Sequence, residues 1–386
     1  MVKLWTAGFT YLLVISILNS VAFGMTNPLV PGFTVSLGAS LTAAGFIAGM
    51  FSYVALIGRP ISSILGDRGN KKRLLILSLV ANGLFTVLYA AAPDIMWLVP
   101  IRILHGLFFS LSGTIFMALG AEYIPKERLG EGVGFLGMGQ IIGMALGPNV
   151  GILLLYRYSY ELCFIISGAG IMLAGFLIIP LRYTQPPRQD DGKKSFSLKD
   201  LVAVELMPNA IFAAIFAVGN GLVVSYLILL GEERGILNIA LYFMVNSIVI
   251  LVTRPVMGRL VDRKGVAVAI LPGYILTALA MVAIGLATSI WPILLAAVLV
   301  AVGSGGGIPA IQTDNIRRLD SAHRTVAIGT FLIGMDIGMG AGPIFGGMIS
   351  DAFGFEAAFL GTAGLMIVGF VCYLAYSRRG SKCTSA

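Results

Sequence analysis

The chain has 386 residues, 58% hydrophobic and only 11% charged, with a mean hydropathy of +0.93. Soluble domains carry about 25% charged residues, which excludes that class, and long apolar runs in place of alternating segments of about 10 residues exclude a membrane β-barrel. The net charge of +8 and pI near 9.4 are therefore read first as an orientation signal and not as a nucleic-acid surface, and Cys163, Cys372 and Cys383 have no paired spacing that would suggest a disulfide or metal framework.

Apolar runs between charged or Gly/Pro-marked breaks predict twelve spanning helices. The first, 6–35, runs past the core length of a signal peptide and is expected to stay in the membrane; it carries Asn19 and Asn27. Span two, 40–65, contains Arg59-Pro60 and leads into Asp67-Arg68. Span three is 73–92, and span four, 95–122, places Arg102 and His105 three residues apart, on one helix face, before ending at Glu122. Span five, 131–156, carries Gly139, Gln140, Gly143, Gly147, Pro148 and Gly151, and span six is 160–181. A polar stretch, Arg182 to Asp200, then interrupts the pattern, and within it Ser197-x-x-Asp200 resembles a helix cap.

The second half repeats the first. Spans seven to twelve are 206–230, 237–260, 266–288, 291–315, 324–350 and 356–377. Arg59, Pro60, Leu65, Asp67 and Arg68 recur 195 residues later as Arg254, Pro255, Leu260, Asp262 and Arg263. At the same offset the glycine row of span five returns in span eleven as Gly334, Gly338, Gly342, Pro343 and Gly346. One offset shared by two motifs indicates a duplication, and six helices per copy give both copies the same orientation about an axis along the membrane normal. The expected organisation is an N-terminal six-helix bundle (1–182), a linker (183–204), a C-terminal six-helix bundle (205–377) and a tail (378–386). Of the 26 Lys and Arg, 21 fall in loops on the linker's side, two (Arg157, Arg234) on the other and three (Arg59, Arg102, Arg254) within spans. That bias predicts a multi-pass protein of the cytoplasmic membrane with both termini cytoplasmic.

Charge inside the spans is the informative exception. Arg59 and Arg254 lie about 12 Å further in than Asp67 and Asp262, at 1.5 Å per residue, so each either snorkels or pairs with another helix. Asp67 and Asp262 sit where helices end and can accept from the free N–H groups of a helix that starts nearby, while Arg68 and Arg263 seek acids, with Glu122 and Asp314 as candidates. Together these residues form a candidate conformational latch. Arg102 is a costly cation that attracts anions, and His105 is either a structural histidine or a group that changes charge near neutral pH. Asp336 is the one carboxylate near the middle of a span. Asn19, Asn27, Gln140, Asn220 and Asn246 either line an aqueous path or bond between helices. The glycine rows allow close helix approach, by itself or as a leak-proof sliding surface.

These motifs resemble the major facilitator superfamily over essentially the whole chain. Its loop motif, Gly-x-Leu-x-Asp-Arg-x-Gly, is complete at Gly258, Leu260, Asp262, Arg263 and Gly265, whereas the first copy has Ser63 and Asn70 in place of its two glycines. Asn70 is expected to keep the left-handed turn. Arg102 and Gly106 match the Arg-x-x-x-Gly motif, linked in the family to proton coupling, and Gly134, Gly143, Gly147, Pro148 and Gly151 match the antiporter motif, with Ile152 for its last glycine; span eleven matches throughout, Gly329 to Gly347. The resemblance implies an all-α major facilitator fold of two pseudo-symmetric six-helix bundles around a cavity lined by spans one, four, seven and ten. It implies a proton-coupled exporter of small organic molecules, multidrug or metabolite efflux, with an importer or uniporter as the alternative. No enzyme, cofactor, metal or nucleic-acid partner is expected. The partners are a small-molecule substrate, the proton and the lipid bilayer, the protein is expected to be a monomer, and the proton gradient is the energy source. Arg102 would contact anionic substrate or tune a titrating neighbour, with His105 or Asp336 carrying the proton.

Overall fold

Long apolar sequences leave the backbone one way to satisfy itself in lipid, the α-helix, and the described residues form helices joined by short turns. The structure, a computed structural model, describes residues 4–125, 128–183, 203–319 and 324–383. The expected cap at Ser197-x-x-Asp200, most of the linker and the end of the tail lie outside the described residues, as do the side chains of Asp67 and Arg68.

The first run is α1 (Ala7–Thr26) and α2 (Leu29–Ser36), parted at Asn27-Pro28. It is followed by α3 (Leu41–Arg68), α4 (Lys71–Leu88), a 3₁₀ turn (Tyr89–Ala91), α5 (Ile95–Glu122), α6 (Leu129–Arg157) and α7 (Tyr160–Leu177). After the linker come α8 (Met207–Glu233), α9 (Leu241–Lys264), α10 (Ala267–Gly285), α11 (Ile290–Arg318) and α12 (Arg324–Cys383). Side-chain caps start several of them: Thr6 accepts from Phe9 N–H at 3.3 Å, Asp94 from Met96 at 2.8 Å, and Ser159 from Leu162 at 3.4 Å.

Eleven segments among the described residues are long and apolar enough to cross a membrane. The last, Val326–Arg378, has 53 residues, about 80 Å of helix against a hydrocarbon core of about 30 Å. It is not continuous, because Gly354 has φ 84° and ψ 165°, a conformation outside the helix that glycine adopts without strain. Large apolar side chains stand outward along these helices, among them Met96, Trp291 and Phe353, each more than 70% exposed, as lipid-facing residues do.

The chain divides into two units, one of residues 4–37 and 50–183, the other of 38–49 and 203–383. In the first, α6 packs on α1 and α4 lies between α5 and α7; Phe9, Leu12, Ile15, Leu75, Ile115 and Ile171 form its core. In the second, α12 packs on α8 and α10, and α11 on α9 and α10.

The repeated glycine rows do the same work in both units. A Cβ at Gly143 would lie 2.5 Å from Ser20 and one at Gly147 2.6 Å from Gly24 Cα, where α6 meets α1 backbone to backbone. At the equivalent positions 195 residues on, a Cβ at Gly338 or Gly342 would lie 2.2 or 2.3 Å from the Ala214 or Val218 carbonyl oxygen of α8. The two copies of the loop motif, by contrast, differ. Gly265 ends α9 at φ 84°, whereas Asn70 is extended, φ −76° and ψ 107°, with its side chain accepting from Arg73 N–H at 3.0 Å. The expected left-handed Asn70 is thus replaced by an N-cap, because an asparagine side chain satisfies the first turn of α4 more cheaply than it adopts positive φ.

The rows predict a contrast within one helix. Gly147→Leu should cost about 1–3 kcal/mol or more through overpacking, read as a lowered melting temperature in detergent. Gly134→Leu, at a position with open space around its Cβ, should leave the melting temperature nearly unchanged.

Candidate functional site

Span four was expected to present Arg102 and His105 together, and α5 does so inside the first unit, where they are 1% and 0% exposed. What the sequence reading did not include is the element that receives them. Asn82 and Thr86, one turn apart on α4, and Tyr89 in the 3₁₀ turn that follows it are also buried. The break after α1 brings in Asn27.

The bonds among these groups have a direction. Thr86 donates its hydroxyl proton to the Asn82 carbonyl at 2.9 Å, so its oxygen receives the Nε2–H of His105 at 3.3 Å. Nδ1 of His105 is then the bare nitrogen and accepts from the Tyr89 hydroxyl at 3.0 Å. The Tyr89 oxygen in turn accepts from Arg102 Nη1 at 3.4 Å, and Nη2 of Arg102 donates to Asn27 Oδ1 at 3.2 Å. The guanidinium also lies 4.4 Å from the Phe51 ring centre, a favourable cation–π distance. Phe23, Phe51 and Tyr89 surround the imidazole edge-on.

This arrangement fits a neutral imidazole of one tautomer. A second proton on Nδ1 would meet the Tyr89 hydroxyl as a competing donor and add a cation one helical turn from Arg102. Any proton placed on His105 therefore rearranges Tyr89 and, through it, Arg102. That is the chemistry the chain of bonds offers: charge at one end reports protonation at the other.

Asn19 is half-buried on α1, and Gln140 is exposed on α6. In the second unit Asp336 is half-buried on α12, Asn220 accepts from Ser304 at 3.3 Å, and Asn246 donates to the Ala297 carbonyl at 2.9 Å. Both asparagines join helices. Arg59 is half-buried on α3, and Arg254 is exposed beside a cavity of about 250 Å³ that Asp262, Gly305 and Thr313 also line.

Among the described side chains, linker-side charges pair within each unit. Glu122 is bonded to Lys71 at the start of α4, and the expected partner, the Arg68 side chain, lies outside the described residues. Asp262 takes Arg317 at 2.7 Å. Asp314 takes Arg318, one turn along its own helix, at 2.8 Å and the Asn209 amide at 2.7 Å, and Arg318 also donates to Tyr376 at 2.9 Å. The local i,i+4 geometry makes Arg318 the nearer partner than Arg263. Asp262 and Arg317 are 67% and 48% exposed, so that pair contributes at most about 1 kcal/mol.

Two units of spanning helices repeat one motif set, and one of them buries a cation and an imidazole in a bonded network. The profile described as Major Facilitator Superfamily matches residues 12–283 and 210–385. The chain belongs to the Major Facilitator Superfamily. It is 24% identical over 388 residues to an uncharacterized MFS-type transporter of Methanocaldococcus jannaschii, covering 97% of each chain. It is 26% identical to the multidrug resistance protein MdtG of Citrobacter koseri, covering 94% of this chain and 93% of the relative. Among solved structures it resembles the nucleoside transporter NupG (TM-score 0.78, 12% identity, 96% and 99% covered) and a bacterial homolog of the human lysosomal transporter Spinster in an inward-facing, unoccupied conformation (0.77, 18%, 96% of each). These structures share the fold.

Tyr89→Phe removes the hydroxyl that joins Arg102 to His105, and with it one buried bond to each. It should cost about 1–3 kcal/mol, measured by thermal unfolding. Asp262→Asn, at an exposed pair, should change stability by less than about 1 kcal/mol.

Proposed function

We propose that this protein is a proton-coupled exporter of small organic molecules across the cytoplasmic membrane, working by alternating access. The observation that carries the reading is the buried chain from Arg102 through Tyr89 to His105. A guanidinium and an imidazole inside a spanning helix cost at least about 2.5 kcal/mol for the charge alone, and packing needs neither. A titratable ring bonded through one hydroxyl to a fixed cation couples proton binding to the position of that cation. In this reading His105 carries the proton and Arg102 responds to it, or holds an anionic substrate group; Asp336, on α12, is the other candidate carrier.

Export is supported by the antiporter-type glycine rows on α6 and α12 and by relatives named multidrug resistance proteins at 26% identity. Twelve crossings follow if each arm of α12 on either side of Gly354 spans once, which makes two six-helix bundles related by pseudo-two-fold symmetry. Both termini are then cytoplasmic, from the basic bias of the linker side. The proton gradient supplies the energy, about 2.3 kcal/mol per proton for each 100 mV, with no further cofactor, and the protein acts as a monomer.

Efflux of a panel of lipophilic dyes and amphipathic anions from proteoliposomes under an imposed pH gradient tests this. Export that accelerates with the gradient, and loses that acceleration in His105→Ala, is the expected result. Transport indifferent to the gradient, with counterflow intact, would instead identify an importer or uniporter on the same fold.

A further inference from the structure

Residues 38–49 cluster with the second unit, although the rest of α3 belongs to the first. The contacts that hold them there centre on Asp351 of α12. Its Oδ1 accepts from Leu41 N–H at 2.9 Å and its Oδ2 from Thr42 N–H at 2.7 Å. The next two amides are met locally, Ala43 by the Ser40 hydroxyl at 3.2 Å and Ala44 by the Ser40 carbonyl at 3.0 Å. The Leu41, Thr42 and Ala43 donors that the helix start leaves open are thus filled, two of them by a carboxylate 309 and 310 residues away in sequence. The negative charge also sits at the positive end of the α3 dipole.

Behind the carboxylate the backbones are in close contact. Tyr226 of α8 shares its hydroxyl proton between the Leu41 and Pro343 carbonyls, at 2.9 and 3.0 Å. A Cβ at Gly45 would lie 2.2 Å from the Pro343 oxygen, one at Gly49 2.3 Å from the Gly340 oxygen, and one at Gly347 2.3 Å from the Leu41 oxygen. Only glycines allow this approach. Asp351 itself is exposed, so the polar grip lies at the rim and the glycine contact beneath it.

We propose that Asp351 is a clasp that holds the opening turns of α3 in the second unit, at the helix ends opposite the linker, and that its release is what lets residues 38–49 leave that unit. An acid capping the start of another helix is the device expected of Asp67 and Asp262 at the linker side. Here it operates at the other end of α3. In a carrier that alternates between two open states, a contact of this kind has to break once per cycle, and a rim-exposed bond pair can do so without disturbing the core.

Hydrogen exchange of the full-length protein in lipid nanodiscs tests the clasp without any substrate, so a failed efflux assay leaves the result standing. In Asp351→Asn, which keeps the shape but loses the charge and one acceptor, amides in the peptide covering 38–49 should exchange about tenfold faster, while Asp351→Glu stays near the parent rate. Peptides covering the α8–α12 glycine contact should be unchanged. Equal exchange of residues 38–49 in parent and Asp351→Asn would overturn the proposal. Faster exchange spread equally over α8 and α12 would overturn it too, since that marks general loosening.

Discussion

A guanidinium carried into the middle of a spanning helix has to be surrounded by acceptors and polarizable faces that the protein itself provides, because the lipid offers none. Much of the first unit follows from that demand. The break between α1 and α2 delivers the Asn27 amide oxygen, the 3₁₀ turn after α4 delivers the Tyr89 hydroxyl, and α3 lays Phe51 against the cation. His105 is then reached through Tyr89, and Thr86 fixes which of its nitrogens bears the proton. The second unit has no Arg or His on the corresponding helix, α11, before its linker-side end, and its interior polar groups, Asn220, Ser304 and Asn246, join helices to one another instead. Duplication supplied the scaffold twice, whereas among the described residues the Arg102–Tyr89–His105 network lies in the first unit.

The glycine rows set the other limit on the architecture. Backbone-to-backbone contact of α6 with α1 and of α12 with α8 places those pairs far closer than side chains would allow. With no hydrophobic drive between helices in lipid, such contact relies on dispersion and weak polar attraction. A surface of this kind has few side chains to unlock, which suits a helix pair that must stay sealed. The polar clasps lie at the helix ends: Lys71 with Glu122, Asp262 with Arg317, and Asp351 on the first turn of α3.

Much of this was legible in the sequence because it depends on period and spacing. Apolar runs located the helices, and the 195-residue offset located both glycine rows, whose contacts are alike in the two units. Arg102 and His105 stood out because charge is rare in such a chain. Asn27 was among the polar candidates, but the other partners were not, since a tyrosine and a threonine carry no signal until α4 is packed against α5. The same holds for Asp351, one acid among several at helix ends. The partner of Asp314 differs from the expected Arg263 because a nearer residue, Arg318, lies one helical turn along, and Asn70 took the role of cap because side-chain oxygen competes well with a strained backbone. Sequence spacing names who is near along a helix; it does not name who is opposite.

His105 is held as a neutral ring with its proton on Nε2, facing Thr86, and its bare Nδ1 facing Tyr89. The chain has two histidines, His105 and His323, so ¹⁵N-histidine labelling of the His323→Asn protein isolates the ring of interest. At neutral pH the nitrogen spectrum in lipid should show a protonated Nε2 and an unprotonated Nδ1, and Tyr89→Phe should shift the Nδ1 signal. A ring protonated on Nδ1, or on both nitrogens, at that pH would contradict the account.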